Sequence, residues 1–128
     1  VLMRTNEELR SFLENVCYFH DCCVVEMHYV SGAHCTGCWM SPVNDRRELN
    51  VTLHGAQNGV LTFYGLKLCK LVPEILGTCE ILGVSMWADE KGVFWCDDDN
   101  IGPENLEKYT GTVICAESAT WAALKSAE

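Results

Sequence analysis

The stretch Phe19-His20-Asp21-Cys22-Cys23-Val24-Val25-Glu26-Met27-His28-Tyr29-Val30-Ser31-Gly32 decides how the chain is read. From Asp21 to Val30 the pattern has period two, the signature of a strand. Cys23, Val25, Met27 and Tyr29 share one face, and Cys22, Val24, Glu26 and His28 share the other. Neither face is purely polar, which predicts a strand covered on both sides. Ser31-Gly32 ends it.

The segment before it follows a different period. Leu9, Phe12, Leu13 and Val16 recur at i, i+3, i+4 and i+7, a single apolar stripe on a helix over 5–16. Thr5 or Asn6 can cap it, and Glu8 stands three residues after Thr5, the spacing of a capping box. So short a stripe predicts packing on a sheet.

Downstream the chain reads as strands and turns. Residues 33–46 read as a loop, with Pro42, Asn44 and Asp45 as turn residues. Arg47 to His54 is a strand with Leu49, Val51 and Leu53 inward, and Gly55 to Gly59 joins it to a return at Val60 to Tyr64. Gly65 breaks that return before a second extended piece through Leu71. Thr78 to Trp87 reads as another long strand, turned at Asp89 to Gly92 into Val93 to Cys96. After a helical turn over Glu104 to Tyr109, Thr112 to Trp121 is the last strand, with Val113 and Cys115 on one face and Ile114 and Ala116 on the other.

One helix followed by six or seven closely spaced strands predicts an antiparallel meander, because parallel strands would need a helix in each crossover. The expected fold is α+β in a single domain, residues 1–128: an N-terminal helix packed on a curved antiparallel sheet, or a two-layer β-sandwich of six to seven strands.

Charge narrows the function. Asp and Glu number 18 against 9 Lys and Arg, a net charge of -9 that works against phosphate neutralisation, so no nucleic-acid partner is expected. The balance suits a basic protein partner or a cation. No apolar run reaches membrane-spanning length. The nine cysteines are an odd number, and Cys23, Cys69, Cys79, Cys96 and Cys115 fall inside apolar strands, where thiols act as small hydrophobes. With no basic-then-apolar leader at Val1 to Glu8, the expectation is a reduced, cytoplasmic protein.

Phe19-His20-Asp21, Ser31-Gly32-Ala33 and Asp45-Arg46-Arg47-Glu48-Leu49 carry a resemblance. In this order, after an N-terminal helix, they resemble a group of small uncharacterised bacterial proteins with an antiparallel sheet. That resemblance implies no activity. By analogy it implies an interaction protein of the kind that serves as the immunity partner of a bacterial toxin.

Three constellations are candidates for chemistry. His34-Cys35-x-x-Cys38 supplies one half of a zinc site, with His20 as a further ligand. The same Cys pair as a redox centre would need a following helix, and Pro42 opposes one. His20 and Asp21 can form an acid-base pair, although a regular strand puts them on opposite sides. Asp97-Asp98-Asp99-Asn100-Ile101-Gly102 begins like a calcium loop, but Lys108 stands where a bidentate glutamate belongs, leaving a solvated acidic turn.

With no catalytic motif in the chain, the leading expectation is a protein-interaction module, not an enzyme, that binds a protein partner or itself. Asp97, Asp98 and Asp99 would attract the partner, with Trp39 and Trp95 as anchors. The alternative is a zinc-binding domain or metalloenzyme using His20, His34, Cys35 and Cys38.

Overall fold

A computed structural model describes residues 2–37, 39–41, 45–75 and 79–124. Helix α1 runs Asn6–Asn15 and is capped as expected: Glu8 N–H donates to Thr5 Oγ1 at 3.2 Å, and Thr5 N–H donates back to Glu8 Oε1 at 3.1 Å. Leu9, Phe12, Leu13 and Val16 are all buried. The chain leaves α1 through a single 3-10 turn, Cys17–Phe19, whose three residues have φ of 52°, 54° and 57°. Left-handed backbone at non-glycine residues costs about 1–2 kcal/mol each. Phe19 offsets that cost, since it is fully buried and packs edge-on against Phe12 and Trp121.

Six strands form one open antiparallel sheet: β1 (Cys22–Val30), β4 (Glu48–Gly55), β5 (Gly59–Lys70), β6 (Ser85–Asp89), β7 (Gly92–Cys96) and β8 (Val113–Ala123). Two short strands, β2 (His34–Thr36) and β3 (Trp39–Ser41), make a separate hairpin. The fold is therefore α+β, a helix packed on a curved antiparallel sheet, and not the two-layer sandwich. The order β1-β4-β5-β8-β7-β6 corrects the meander: β8 lies between β5 and β7, so the chain crosses to the far edge after β5.

Other expectations change for local reasons. The long strand expected over 78–87, whose first residue lies outside the described residues, begins only at Ser85, because the chain bends at Leu82 and passes through buried Gly83 and Val84 without strand pairing. Before that turn Ile81 alone bridges Cys22, with Ile81 N–H donating to Cys22 O at 2.7 Å. Gly65 does not end β5; its φ of 66° introduces an irregularity before Leu68, and pairing to β8 continues. The expected 33–46 loop contains the β2–β3 hairpin. In β1 a bulge between Val24 and Glu26 resets the alternation. Val24 and Met27 therefore both pack on the core, while Glu26 and His28 are exposed, and β1, expected to be covered on both sides, is instead an edge strand open on its outer face.

The core is layered as the last strand implied. Ile114 and Ala116 of β8 face the main cluster with Leu9, Leu53, Phe63 and Trp95. Val113 and Cys115 face the opposite way, with Phe94 and Cys96, under Trp87, Ile101, Leu106 and Tyr109. Residues 97–111 thus cover the outer side of β7 and β8, and the helical turn within them is the 3-10 turn Leu106–Lys108. No helix among the described residues is long and apolar enough to cross a membrane.

Candidate functional site

The acidic loop is first of all a built turn. Asp97 is half-buried and accepts hydrogen bonds from the Tyr109 hydroxyl and from Thr112 N–H, the latter at 3.1 Å. Burial, and then that bond to Asp97, push the Tyr109 phenol far above its ordinary value. Asp98 Oδ1 accepts from Asn100 N–H at 3.0 Å, and the Asp98 carbonyl accepts from Ser85 Oγ at 2.6 Å. Asp99 Oδ1 accepts from Asn100 Nδ2 at 3.0 Å. Asp98 and Asp99 remain exposed, so of the three acids Asp97 is a structural acceptor and the other two carry the surface charge.

Trp95 is a correction. It is 1% exposed, lies in the main core and cannot anchor a partner at the surface. Phe94, on the other face of β7, is buried as well, under Trp87 and residues 97–111, and no local pattern in the sequence signals that cover. Trp39 lies in β3, opposite Thr36 in the hairpin register.

Among the described residues, His20 does not come together with His34 and Cys35. His20 precedes β1 and His34 follows it, and the nine residues of β1 separate them by roughly 30 Å of extended chain. His20 Nδ1 instead lies 3.1 Å from Asp21 Oδ2, and the His34 ring meets Gly32 O at 3.3 Å. Cys35 is exposed, and Cys38 lies outside the described residues. Among the described residues no three His, Cys, Asp or Glu side chains are arranged to hold a metal ion.

The Asp21 region has partners that sequence reading missed. Where Ile81 meets β1, the Glu80 and Asp21 carboxyl groups hydrogen-bond to each other. The bond from Glu80, followed by nearby His20, holds Asp21 below the usual carboxylate range, while Asp21 pushes Glu80 above it. Cys23 stands directly across from His54 in the β1–β4 register. These groups, with Cys79, line a shallow depression of about 450 Å³. Both carboxyl groups are fully exposed, so water competes for each proton and the pair is weakly suited to acid-base chemistry.

The more defined surface lies along α1. Trp121, near the end of β8, is half-buried, and its ring centroid lies 5.2 Å from Phe19 and 5.9 Å from Phe12. Trp121 and Phe12, with Met3, floor an open groove of about 520 Å³ whose rim carries Glu7, Glu8, Ser11 and Asn15, and Phe19 lies buried against both rings. The sequence places Glu7, Ser11 and Asn15 at i, i+4 and i+8, so one helical face presents them all. Glu8 is kept ionised by the N–H of Arg4 first, then by the hydroxyl and N–H of Thr5. Glu7 makes no hydrogen bond or ion pair among the described residues. The opposite flank of α1 borders a second groove of about 360 Å³, where Arg10 and Asp99 give mixed charge.

Trp121 was legible as a strand residue but not as part of a site. Its pairing with α1 depends on β8 entering the sheet beside β5, which no local pattern encodes. An aromatic floor with a carboxylate rim can receive an alkyl-ammonium or guanidinium group by stacking and ion pairing together. No family model matches the chain, and no curated protein or solved structure matches it either.

Proposed function

We propose that this chain is a protein-interaction module that binds a basic side chain of a partner protein in the groove beside α1. The observation that carries the reading is the combination of the half-buried Trp121 with the unpaired Glu7 and the ionised Glu8 on one rim. Trp121 supplies the aromatic face, and Glu7 and Glu8 supply the countercharge. A net charge of -9 raises the encounter rate with a basic partner, and exposed Asp98 and Asp99 add to that long-range field. The setting is a reduced cytoplasm, which suits eight free cysteines among the described residues. A partner of the toxin class implied by the family resemblance would meet the groove with an exposed Arg or Lys.

Fluorescence anisotropy with a labelled arginine-rich peptide tests this, with a glutamate-rich peptide as control. The arginine peptide binds the native chain, and the glutamate peptide does not. Glu7→Gln and Trp121→Leu each weaken binding about three- to tenfold, the range of one partly exposed ion pair or cation–π contact. Equal binding by the native chain and both variants, or none at all, would refute the reading.

A further inference from the structure

An antiparallel sheet that is open has two edges, and this one treats them differently. At the β6 edge, Asn6 of α1 closes the backbone: Asn6 Nδ2 donates to Ala88 O at 2.9 Å, and Ala88 N–H donates to Asn6 Oδ1 at 2.8 Å. At the β1 edge, Ile81 covers only Cys22 and Asp21. Beyond that bridge, the outer edge of β1 makes no backbone bond among the described residues. The segment Val25-Glu26-Met27-His28-Tyr29-Val30 holds no Lys and no Pro, two of the usual means of blunting an edge; the bulge, a third, is confined to Val25, and Glu26 to Val30 pair regularly. It also leaves two large side chains open, Val25 and Tyr29, each 49% exposed.

The edge is complementary to itself in one register. A two-fold axis perpendicular to the sheet keeps both concave faces on one side, so residues of the same face must stand opposite each other. Of the registers whose axis falls within the free segment, three set Glu26 or His28 opposite itself or opposite the other. Centred on Glu26, two carboxylates face each other. Centred on His28, the two imidazoles meet and each Glu26 faces Val30. Centred on Met27, each Glu26 carboxylate faces an imidazole of the other copy, twice over, and both pairs fall in the regular part of β1 that follows the bulge at Val25. Opposite-charge or hydrogen-bonded pairs are favourable cross-strand combinations, and directly opposed like charges are unfavourable.

We propose that the chain forms a two-fold dimer by antiparallel pairing of β1 with β1 of a second copy, centred on Met27. The two six-stranded sheets then become one continuous sheet. The α1 groove lies away from this edge, on residues that share no position with it, so the dimer stands or falls independently of the basic-partner reading.

Sedimentation velocity over roughly a hundredfold range of protein concentration tests it, since a dimer must follow mass action. Glu26 and His28 are exposed, so exchanging them leaves the monomer fold intact. The native chain sediments as a concentration-dependent dimer. His28→Glu sets two carboxylate pairs face to face and weakens association about tenfold or more. The double exchange Glu26→His with His28→Glu restores the opposed pairs in this register and returns association to within about threefold of native. A native chain that is monomeric throughout overturns the proposal. So does a dimer indifferent to His28→Glu, or one that the double exchange fails to restore.

Discussion

Replacing Asn6 by Ala tests how α1 is fixed to the sheet. Asn6 is the first residue of α1, and its side-chain amide makes the two hydrogen bonds to Ala88 that a seventh strand would otherwise make. Each bond contributes a net 0.5–1.5 kcal/mol, about 1–3 kcal/mol together. Water reaches this exposed edge and replaces part of what is lost, so the lower half of the range applies, about 1–2 kcal/mol. For a domain of this size that lowers Tm by roughly 3–8 °C. Asn6→Asp keeps the acceptor for Ala88 N–H and loses the donor to Ala88 O. It also adds a negative charge at the helix N-terminus, worth about 0.3–1 kcal/mol in the favourable direction. Its loss is therefore less than that of Asn6→Ala. Urea titration followed by circular dichroism measures both, and hydrogen exchange at Ala88 reports the bond directly. A midpoint unchanged by Asn6→Ala, with Ala88 exchanging as before, would show that the amide does not hold α1 to β6 in solution.

Three further outcomes follow from named contacts. Tyr109→Phe removes one hydrogen bond to Asp97 but leaves the one from Thr112 N–H, and it destabilises the outer layer by about 1–2 kcal/mol in chemical denaturation. Because the folded-state value of Tyr109 is raised, the stability it contributes is fully present below the ordinary value of 10 and is lost as pH rises above it. Ultraviolet titration should therefore show its phenolate only as the protein unfolds, and a reversible native step from Tyr109 would contradict this. Gly59→Ala would set its Cβ 2.5 Å from the Trp121 ring, and overpacking of that kind costs about 1–3 kcal/mol; near-ultraviolet dichroism reports the displaced indole. Of the nine cysteines, Cys22, Cys96 and Cys115 are buried, and burial pushes Cys96 up to about 12. These three should resist a thiol reagent at pH 8 until denaturant is added, while Cys17, Cys35 and Cys79 react at once and Cys69, whose thiol burial pushes up, reacts more slowly than they do; mass spectrometry of labelled peptides distinguishes the sets.

Short-range patterns carried their information faithfully. The Thr5–Glu8 spacing and the Leu9, Phe12, Leu13, Val16 stripe produced the capped, half-buried helix they imply. The alternation of β8 put Ile114 and Ala116 on one side and Val113 and Cys115 on the other, as read. Long-range features had no local signal. The bulge in β1 depends on how Val24 and Glu26 meet Leu53 and Thr52 on another strand, and it moved Met27 to the side of Val24. The insertion of β8 between β5 and β7 put Trp121 beside α1 and made a groove from residues more than a hundred positions apart. The same topology brought Glu80 to Asp21. Trp95 and Trp121 both looked like strand aromatics, and only the assembled sheet buries one and half-exposes the other.

The central claim is that Trp121, with Glu7 and Glu8, receives a basic side chain. Amide and indole chemical-shift mapping during titration with the arginine-rich peptide tests it most directly. The Trp121 indole and the amides of Glu7, Ser11 and Asn15 should move together and saturate, and Glu7→Gln should reduce the affinity. Shifts confined to the exposed Asp98 and Asp99 loop, with the Trp121 indole unmoved, would contradict it.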